Sequence, residues 1–330
     1  MKKDKGKINY NIIFLRFLAI ILVVLGHSMI LYCSNWNLIS TKVDKVQLFD
    51  YIKQNINLIQ MQLFFSISGY LFYNSKINNK IDFIKKKFIR LIIPFLIFGT
   101  FYMIPIRLLI NYKEYKDLSF LNIYINKFLL GFDNGHLWYL PTLFIMFIIF
   151  LFYNKKCKKT YDLLFLLILL FMPLILNKMF AQTYLYNVLY YLLFFYFGLT
   201  INKYHIQKNK YNFKFIIIPI TICICLTSLR NYIHILKNPI FIRIFQLIII
   251  YFLYNIDFEQ IGRNKIIEFI ADNSFGVYLL HSPLVYITFT YLNEINPFLM
   301  VAINFFGLGS LCLVITYLLG KSKLKIAIGK

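Results

Sequence analysis

Arg16 and His27 are polar residues in an otherwise apolar run near the start of the chain, and both side chains can do chemistry. An imidazole accepts a proton near neutral pH, and a guanidinium binds phosphate through several N–H donors. The two residues are eleven positions apart. Eleven helical steps of about 100° return to within about 20° of the starting direction and advance about 16.5 Å. We therefore expect Arg16 and His27 to lie on one stripe of one helix, beside a polar cavity.

Each residue also has a simpler interpretation. Arg16 alone can extend its head group to a membrane interface, and a single buried histidine is often satisfied by hydrogen bonds in the core. His281, within a later apolar run, and His136, at the end of another, are further ionisable candidates, whereas the interiors of the runs are predicted to contain no Asp or Glu. Burying a charge in hydrocarbon costs about 2.5 to 3.5 kcal/mol, so such residues indicate a functional site.

The composition excludes a water-soluble protein. Of the 330 residues, 60% are hydrophobic and 15% are charged, with a mean hydropathy of +0.66. Soluble domains average about 45 to 50% apolar and about 25% charged residues, and a membrane-crossing helix needs about 17 to 25 residues. We predict an all-α polytopic integral membrane protein with about ten transmembrane helices, at 11–33, 55–73, 88–110, 136–153, 161–176, 183–202, 213–229, 239–255, 273–292 and 298–319.

The formal net charge of +23 is distributed as a topology signal. Basic residues cluster between alternate runs, and two thirds of the 36 Lys and Arg fall on the side of the N-terminus. Cytoplasmic loops are rich in Lys and Arg, so we predict that both termini are cytoplasmic and that the first run is a retained anchor. The basic side is expected to contact anionic membrane lipids. The clusters lack interleaved aromatic residues, so no nucleic-acid partner is predicted.

The sequence predicts neither a disulfide nor a flexible linker between domains. The five cysteines include no CxxC pair, and Cys223 and Cys225 would point about 200° apart on a helix, so neither a metal site nor a disulfide is predicted. No segment rich in Pro, Gly or Ser interrupts the sequence. We therefore expect residues 1–330 to form a single membrane domain without an appended soluble domain.

Five motifs, in order along nearly the whole chain, resemble those of the acyltransferase 3 family of membrane enzymes. That family has a basic residue, ten intervening residues and a histidine, which Arg16 and His27 match. The other motifs are FFSISGY at 64–70, KFIRLIIP at 87–94, GHLWYLP at 135–141 and SFGVYLLH at 274–281. The family often has two arginines before the third span, where this chain has Lys87 and Arg90. A lysine does not bind phosphate bidentately.

The resemblance implies an activity. Enzymes of this family move acyl groups, commonly acetyl, from cytoplasmic acyl-CoA to sugars and cell-envelope glycans. It implies that His27 is the general base and that Arg16, Lys87 and Arg90 bind the phosphates of acetyl-CoA or another acyl-CoA, with Arg16 also counted as catalytic. The acceptor is expected to be a sugar or glycan, free or lipid-linked, and the location a bacterial plasma membrane.

Other residues in the motifs have two interpretations each. Ser68 and Tyr70 are expected to donate hydrogen bonds to an oxyanion or to acceptor hydroxyls, whereas a serine in a span often bonds to its own backbone or to a neighbouring helix instead. Trp138, with His136, either stacks on a sugar ring or anchors the chain at the interface. His281 is expected to provide a second polar contact in the cavity. The alternative function is an exporter or flippase of a glycan or lipid-linked sugar that forms no bond, and a second alternative is a sensory membrane module.

Overall fold

The computed structural model describes residues 9–34, 36–39, 43–176, 184–206, 210–229 and 232–330. These residues form helices and connecting turns, with an isolated bridge between Tyr211 and Ile256 and no strand. The all-α prediction is confirmed. Several residues used to predict the topology lie outside the described residues, so their placement stays a prediction: Lys2, Lys3, Lys5, Lys7, Lys42, Lys178, Lys208 and Arg230.

The helices are numbered in chain order. Those up to residue 150 are α1 (Tyr10–Ser28), α2 (Gln47–Asn57), α3 (Gln60–Tyr73), α4 (Lys80–Phe98), α5 (Ile104–Leu109), α6 (Phe120–Asn122) and α7 (Tyr139–Phe150). Those that follow are α8 (Lys159–Leu176), α9 (Tyr184–Lys203), α10 (Ile217–Leu229), α11 (Pro239–Asn255), α12 (Glu259–Gly262), α13 (Lys265–Tyr291), α14 (Pro297–Ala302) and α15 (Gly309–Lys321). Short π-helical segments join α4 to α5 and α14 to α15, at Gly99–Met103 and Ile303–Leu308.

Asparagine side chains begin several of the helices. Asn79 accepts a hydrogen bond from the Ile81 backbone N–H at 2.9 Å, and Asn264 accepts one from Ile266 at 2.8 Å. Such a cap satisfies a backbone donor that has no partner within the helix. Because of these caps, α4 and α13 each begin eight residues before the apolar runs predicted at 88–110 and 273–292. The basic residues ahead of the third predicted run therefore lie on α4 itself.

Each predicted apolar run overlaps a helix. Within the part of the chain that the structure describes, four helical segments are long and apolar enough to cross a membrane: Tyr10–Ser28, Lys80–Leu109, Tyr184–Lys203 and Pro297–Lys321. Shorter apolar helical segments lie at Gly135–Phe150, Phe213–Leu229 and Pro239–Asn255. The structure thus supports a membrane protein, while the number of ten crossings and the cytoplasmic termini stay predictions.

Two helix pairs position the site. α1 and α13 run side by side in the same direction, because Arg16 contacts Ala271 and His27 contacts His281. α3 and α9 approach closely at glycines on both helices, where a Cβ on Gly69 or on Gly198 would collide with the backbone of the other helix. Small residues allow such close packing of helices in membranes. We call the end at which α1 and α13 begin the basic face, and the other end the opposite face.

Asp162 is a carboxylate that the sequence placed at the edge of a predicted run but that is buried in the bundle. Its side chain is 1% exposed, and it accepts hydrogen bonds from Lys203 Nζ at 2.6 Å and from the hydroxyls of Tyr153 and Tyr196. An unpaired buried carboxylate would be costly, whereas this one is fully paired. The contact ties the start of α8 to the end of α9.

Candidate active site

Two imidazoles, His27 on α1 and His281 on α13, form a hydrogen-bonded pair. Nδ1 of His27 is 2.7 Å from Nε2 of His281, and the ring planes are 13° apart. The side chain of His281 is fully buried. Sequence analysis identified both residues, but only the packing of α1 on α13 joins them in one hydrogen bond.

The hydrogen bonds of His281 fix the tautomers of both rings. Nδ1 of His281 is 3.0 Å from the backbone carbonyl of Val277, which accepts hydrogen bonds only, so this nitrogen carries the proton. In a neutral ring the other nitrogen, Nε2, is then an acceptor. It follows that His27 Nδ1 donates to His281. These hydrogen bonds use both nitrogens of His281 and Nδ1 of His27. We therefore assign the free lone pair to His27 Nε2.

His136 lies against the same pair. Its ring centroid is 5.4 Å from that of His281, Nε2 is 3.1 Å from the backbone carbonyl of Leu279, and the residue is 7% exposed. The hydroxyl of Tyr278 donates to the backbone carbonyl of His136. His136 therefore faces the interior of the bundle.

Arg107, which the sequence analysis did not single out, holds the loop that leads to His136. It is 1% exposed, and its guanidinium NH1 lies 3.2 Å from a carboxylate oxygen of Asp133 and 3.0 Å from the backbone carbonyl of the same residue. Gly135 has a φ of +54°, and a Cβ there would strike the guanidinium. The hydroxyl of Tyr115 accepts from Arg107, and burial raises the pKa of this hydroxyl, so it stays neutral. The residues of this loop follow no helical periodicity, so the sequence does not predict the contact between Arg107 and Asp133.

A cavity of about 220 Å³ opens near the basic face, and we call it the basic cavity. Its lining includes the three predicted cations, Arg16, Lys87 and Arg90, and on its inner side Tyr139 and Tyr278. The structure thus brings Arg16 together with Lys87 and Arg90, which lie more than 70 residues later in the sequence. Clustered cations in a partly enclosed cavity attract anionic groups such as phosphates.

The cations have protein partners that the sequence did not indicate. The Arg16 guanidinium donates to the Ala271 carbonyl at 2.7 Å, and its NH1 is 3.6 Å from a carboxylate oxygen of the exposed Asp272. Lys87 Nζ lies 3.8 Å from the centroid of the Phe147 ring, a cation–π contact. Asp272 is the one acidic side chain paired with these three cations in the described segments, so their net charge is positive.

Tyrosine rings lie between the basic cavity and the histidines. Tyr278 lines the cavity, and its ring centroid is 5.6 Å from that of His136 and 6.1 Å from that of His281. Tyr139 lines the cavity and packs on Tyr278 at 5.5 Å. His27 does not line the cavity. The structure therefore places the cations and the imidazoles on two sides of this pair of tyrosines.

The other predicted residues divide into two groups. Ser68 lines the basic cavity, where its hydroxyl donates to the Phe64 carbonyl at 2.9 Å and lies 3.2 Å from the Tyr139 hydroxyl. Tyr70 is 8% exposed and stacks on Tyr254, away from the cavity lining.

Trp138 is also absent from the lining of the basic cavity. Its ring packs against Phe65 at 5.9 Å and Tyr191 at 5.1 Å, inside the bundle. Among the described residues, no group of three or more His, Cys, Asp or Glu side chains has the geometry to hold a metal ion.

Comparisons with known proteins complete the description of the site. Neither the curated proteins nor the solved structures give a match to the chain. The family model for the acyltransferase 3 family, described as an acyltransferase domain, matches residues 9–321 and so includes the histidines, the cations and the tyrosines between them. The chain, with helices long and apolar enough to cross a membrane, therefore belongs to the acyltransferase 3 family of membrane acyltransferases.

Proposed function

We propose that this protein is an O-acyltransferase that moves an acyl group, acetyl in the first instance, from cytoplasmic acyl-CoA to a hydroxyl of a sugar or cell-envelope glycan, free or lipid-linked. The observation that carries the proposal is the hydrogen bond from His27 Nδ1 to His281, which leaves His27 Nε2 as the proton acceptor. A general base must present a lone pair to the hydroxyl that it activates. His281 acts as the orienting group.

The reaction balances with one base. His27 Nε2 takes the proton of the acceptor hydroxyl as the oxygen forms a bond to the thioester carbon. The tetrahedral intermediate then expels the CoA sulfur, which leaves as the thiol after receiving the proton from His27. As the imidazole becomes charged, its Nδ1–H bond to His281 becomes charge-assisted and therefore stronger. The orienting bond thus favours the transition state over the ground state.

The basic cavity supports the donor half of the proposal. Arg16, Lys87 and Arg90 line it and carry the charge that CoA phosphates require. A phosphate would compete with Asp272 for Arg16, and this contact is long, at 3.6 Å, and half-exposed to water, so its loss costs little. The pantetheine arm would enter the cavity with the nucleotide at its mouth. Ser68 and Tyr139 line the same cavity, and either hydroxyl would donate to an oxyanion once it turns away from its present hydrogen bond.

The proposed orientation places the basic face in the cytoplasm of a bacterial plasma membrane. The starts of α4 and α13 and the end of α15 carry basic residues at this face, as the positive-inside rule expects of cytoplasmic ends. Acyl-CoA is made in the cytoplasm, so the basic cavity would face its donor. The imidazoles lie toward the opposite face, where an envelope glycan would arrive.

The proposal is tested with membranes from cells that produce the protein, supplied with radiolabelled acetyl-CoA. His27→Ala should lower transfer of label to glycan by about 10²- to 10⁴-fold, the usual contribution of a general base. The matched control is His205→Asn, which replaces an exposed histidine with a residue that tolerates its positive φ of 49°. Undiminished transfer by His27→Ala at equal protein level would refute the general-base role. Glycan export without labelling would favour the transport alternative.

A further inference from the structure

A second cavity, of about 370 Å³, opens between the ends of α2, α10 and the starts of α3, α9 and α11. Tyr70, near the end of α3, bonds to Asn9 just before α1 and to Asn202 near the end of α9, so α3 and α9 both end at the basic face and start at the opposite face. The volume is within the range of about 300 to 1,000 Å³ that small-molecule sites have. Among the described residues, it shares no lining residue with the basic cavity.

Primary amides dominate the polar lining, and we call this the amide cavity. Gln54, Asn57, Gln62, Asn187 and Gln246 line it, and none of the described lining residues is acidic or basic. A primary amide both donates and accepts hydrogen bonds, as a hydroxyl does. An uncharged ligand with many hydroxyls therefore matches this lining, whereas an anion or a cation finds no opposite charge in it.

Two of the amides are buried and incompletely paired. Gln62 and Gln246 are each 2% exposed, and the side-chain oxygen of each has no hydrogen-bond partner. Buried polar atoms are nearly always paired, so an orphan acceptor in a cavity wall indicates a missing donor. A ligand hydroxyl is a suitable donor for either oxygen.

Tyrosines supply the remaining wall. Tyr186, Tyr190 and Tyr191 line the cavity. The rings of Tyr186 and Tyr190 are stacked, with centroids 6.0 Å apart, and the ring of Tyr191 meets that of Tyr190 edge-on at 4.9 Å. The face of an aromatic ring is electron-rich, so it attracts the C–H bonds of a sugar ring. The amides and the tyrosine rings of the lining together favour a pyranose over a simple alcohol.

The amide cavity is next to the histidine cluster. Tyr191 of its wall packs on Trp138 at 5.1 Å, and Trp138 is two residues from His136. On the other side, Lys53, which precedes Gln54 of the lining, donates to the carbonyl of Gly26 at 3.0 Å, one residue before His27. The cavity wall is therefore in contact with residues that adjoin His136 and His27 in the chain.

We propose that the amide cavity binds the acceptor of the transfer reaction as an uncharged pyranose, which it presents toward His27 from the opposite face. This inference rests on the proposed function, because it assigns that function its acceptor subsite. Together the two cavities place donor and acceptor on opposite sides of the histidines. The amide and tyrosine lining defines the class of acceptor as a neutral sugar.

The test measures sugar binding by the full chain purified in detergent. Only Trp36 and Trp138 fluoresce strongly, so a Trp36→Phe background leaves Trp138, which contacts the cavity wall, as the reporter. The probes are methyl glucoside, methyl galactoside and N-acetylglucosamine, with glucuronic acid as the charged comparison. We expect saturable binding of at least one neutral sugar and weaker binding of glucuronic acid.

Gln62→Met and Gln246→Met keep the side-chain length and remove the amide. Each should raise the Kd of the neutral sugar by about tenfold, as expected for the loss of a hydrogen bond in a buried site. The matched control is Gln47→Met, which changes an exposed amide of α2 outside the cavity. Acyl-CoA binding, measured on the same samples, should be unchanged and shows that each variant is folded.

Three outcomes overturn the proposal: no saturable binding of any neutral sugar, equal or tighter binding of glucuronic acid, or unaltered sugar affinity in both cavity variants. These outcomes are distinguishable from a failure of the proposed function, which is measured separately. Slow hydrolysis of acyl-CoA by water needs His27 but no sugar. If it is lost in His27→Ala while the cavity variants bind sugar normally, the acyltransferase proposal stands and the acceptor site lies elsewhere.

Discussion

Replacing His281 with phenylalanine removes the atom that accepts the His27 Nδ1 proton, while a planar ring still fills most of the buried space. In the parent chain, His281 Nε2 lies 2.7 Å from His27 Nδ1. Without this acceptor, no hydrogen bond holds the proton of His27 on Nδ1. Part of the population then carries the proton on Nε2 and cannot act as a base, and the ring is free to rotate.

The magnitude follows from the charge state of His27 in the transition state. A hydrogen bond from a charged donor contributes about 1.5 to 3 kcal/mol, and each 1.36 kcal/mol corresponds to tenfold in rate. His281→Phe should therefore lower kcat by about 10- to 150-fold. The KM for acyl-CoA should stay constant, because His281 does not line the basic cavity.

The informative comparison is His281→Gln, whose side-chain oxygen can still accept from His27 Nδ1. We expect this variant to keep kcat within about tenfold of the parent, since an amide orients the catalytic histidine in some proteases. The assay is steady-state transfer from radiolabelled acetyl-CoA, with the amount of folded protein measured in each sample. Full activity of His281→Phe, or equal losses in both variants, would refute the assigned tautomers.

Three further predictions concern the donor site and the fold. Arg16→Ala should weaken acyl-CoA binding by about tenfold or more, and the affinity that remains should still fall as the salt concentration rises. Unchanged affinity in a calorimetric titration would contradict the role of Arg16 in binding the donor. Gly69→Ala should lower the thermal unfolding temperature strongly, because the new Cβ meets the Phe195 backbone; a normal melting curve in detergent would show that α3 and α9 are not in close contact. Asp162→Asn should destabilise the chain by about 3 to 5 kcal/mol because Lys203 loses its buried partner, while turnover per folded molecule stays near the parent value.

Much of the fold was predictable because it depends on local composition. The apolar runs predicted ten helical segments, and each overlaps a helix in the described residues. The first residues of the helices were less predictable, since α4 and α13 start at asparagine caps ahead of their apolar portions. Asp162 was placed at the edge of a run because hydropathy records the polarity of a residue and not its partners. Its burial depends on Lys203 and Tyr196 of α9, on Tyr204 directly after α9 and on Tyr153 after α7.

The sequence by itself determined the membrane class, the family motifs and the common stripe of Arg16 and His27, because helical periodicity relates residues of one helix. Only the tertiary structure decided which stripes meet. His27 and His281 are 254 residues apart in the chain, and their hydrogen bond exists because α1 and α13 pack in the same direction with matched register. The amide cavity draws its lining from α2, α3, α9, α10 and α11. The spacing of residues along the chain does not predict which helices pack together, since helix packing is set by shape complementarity between distant segments.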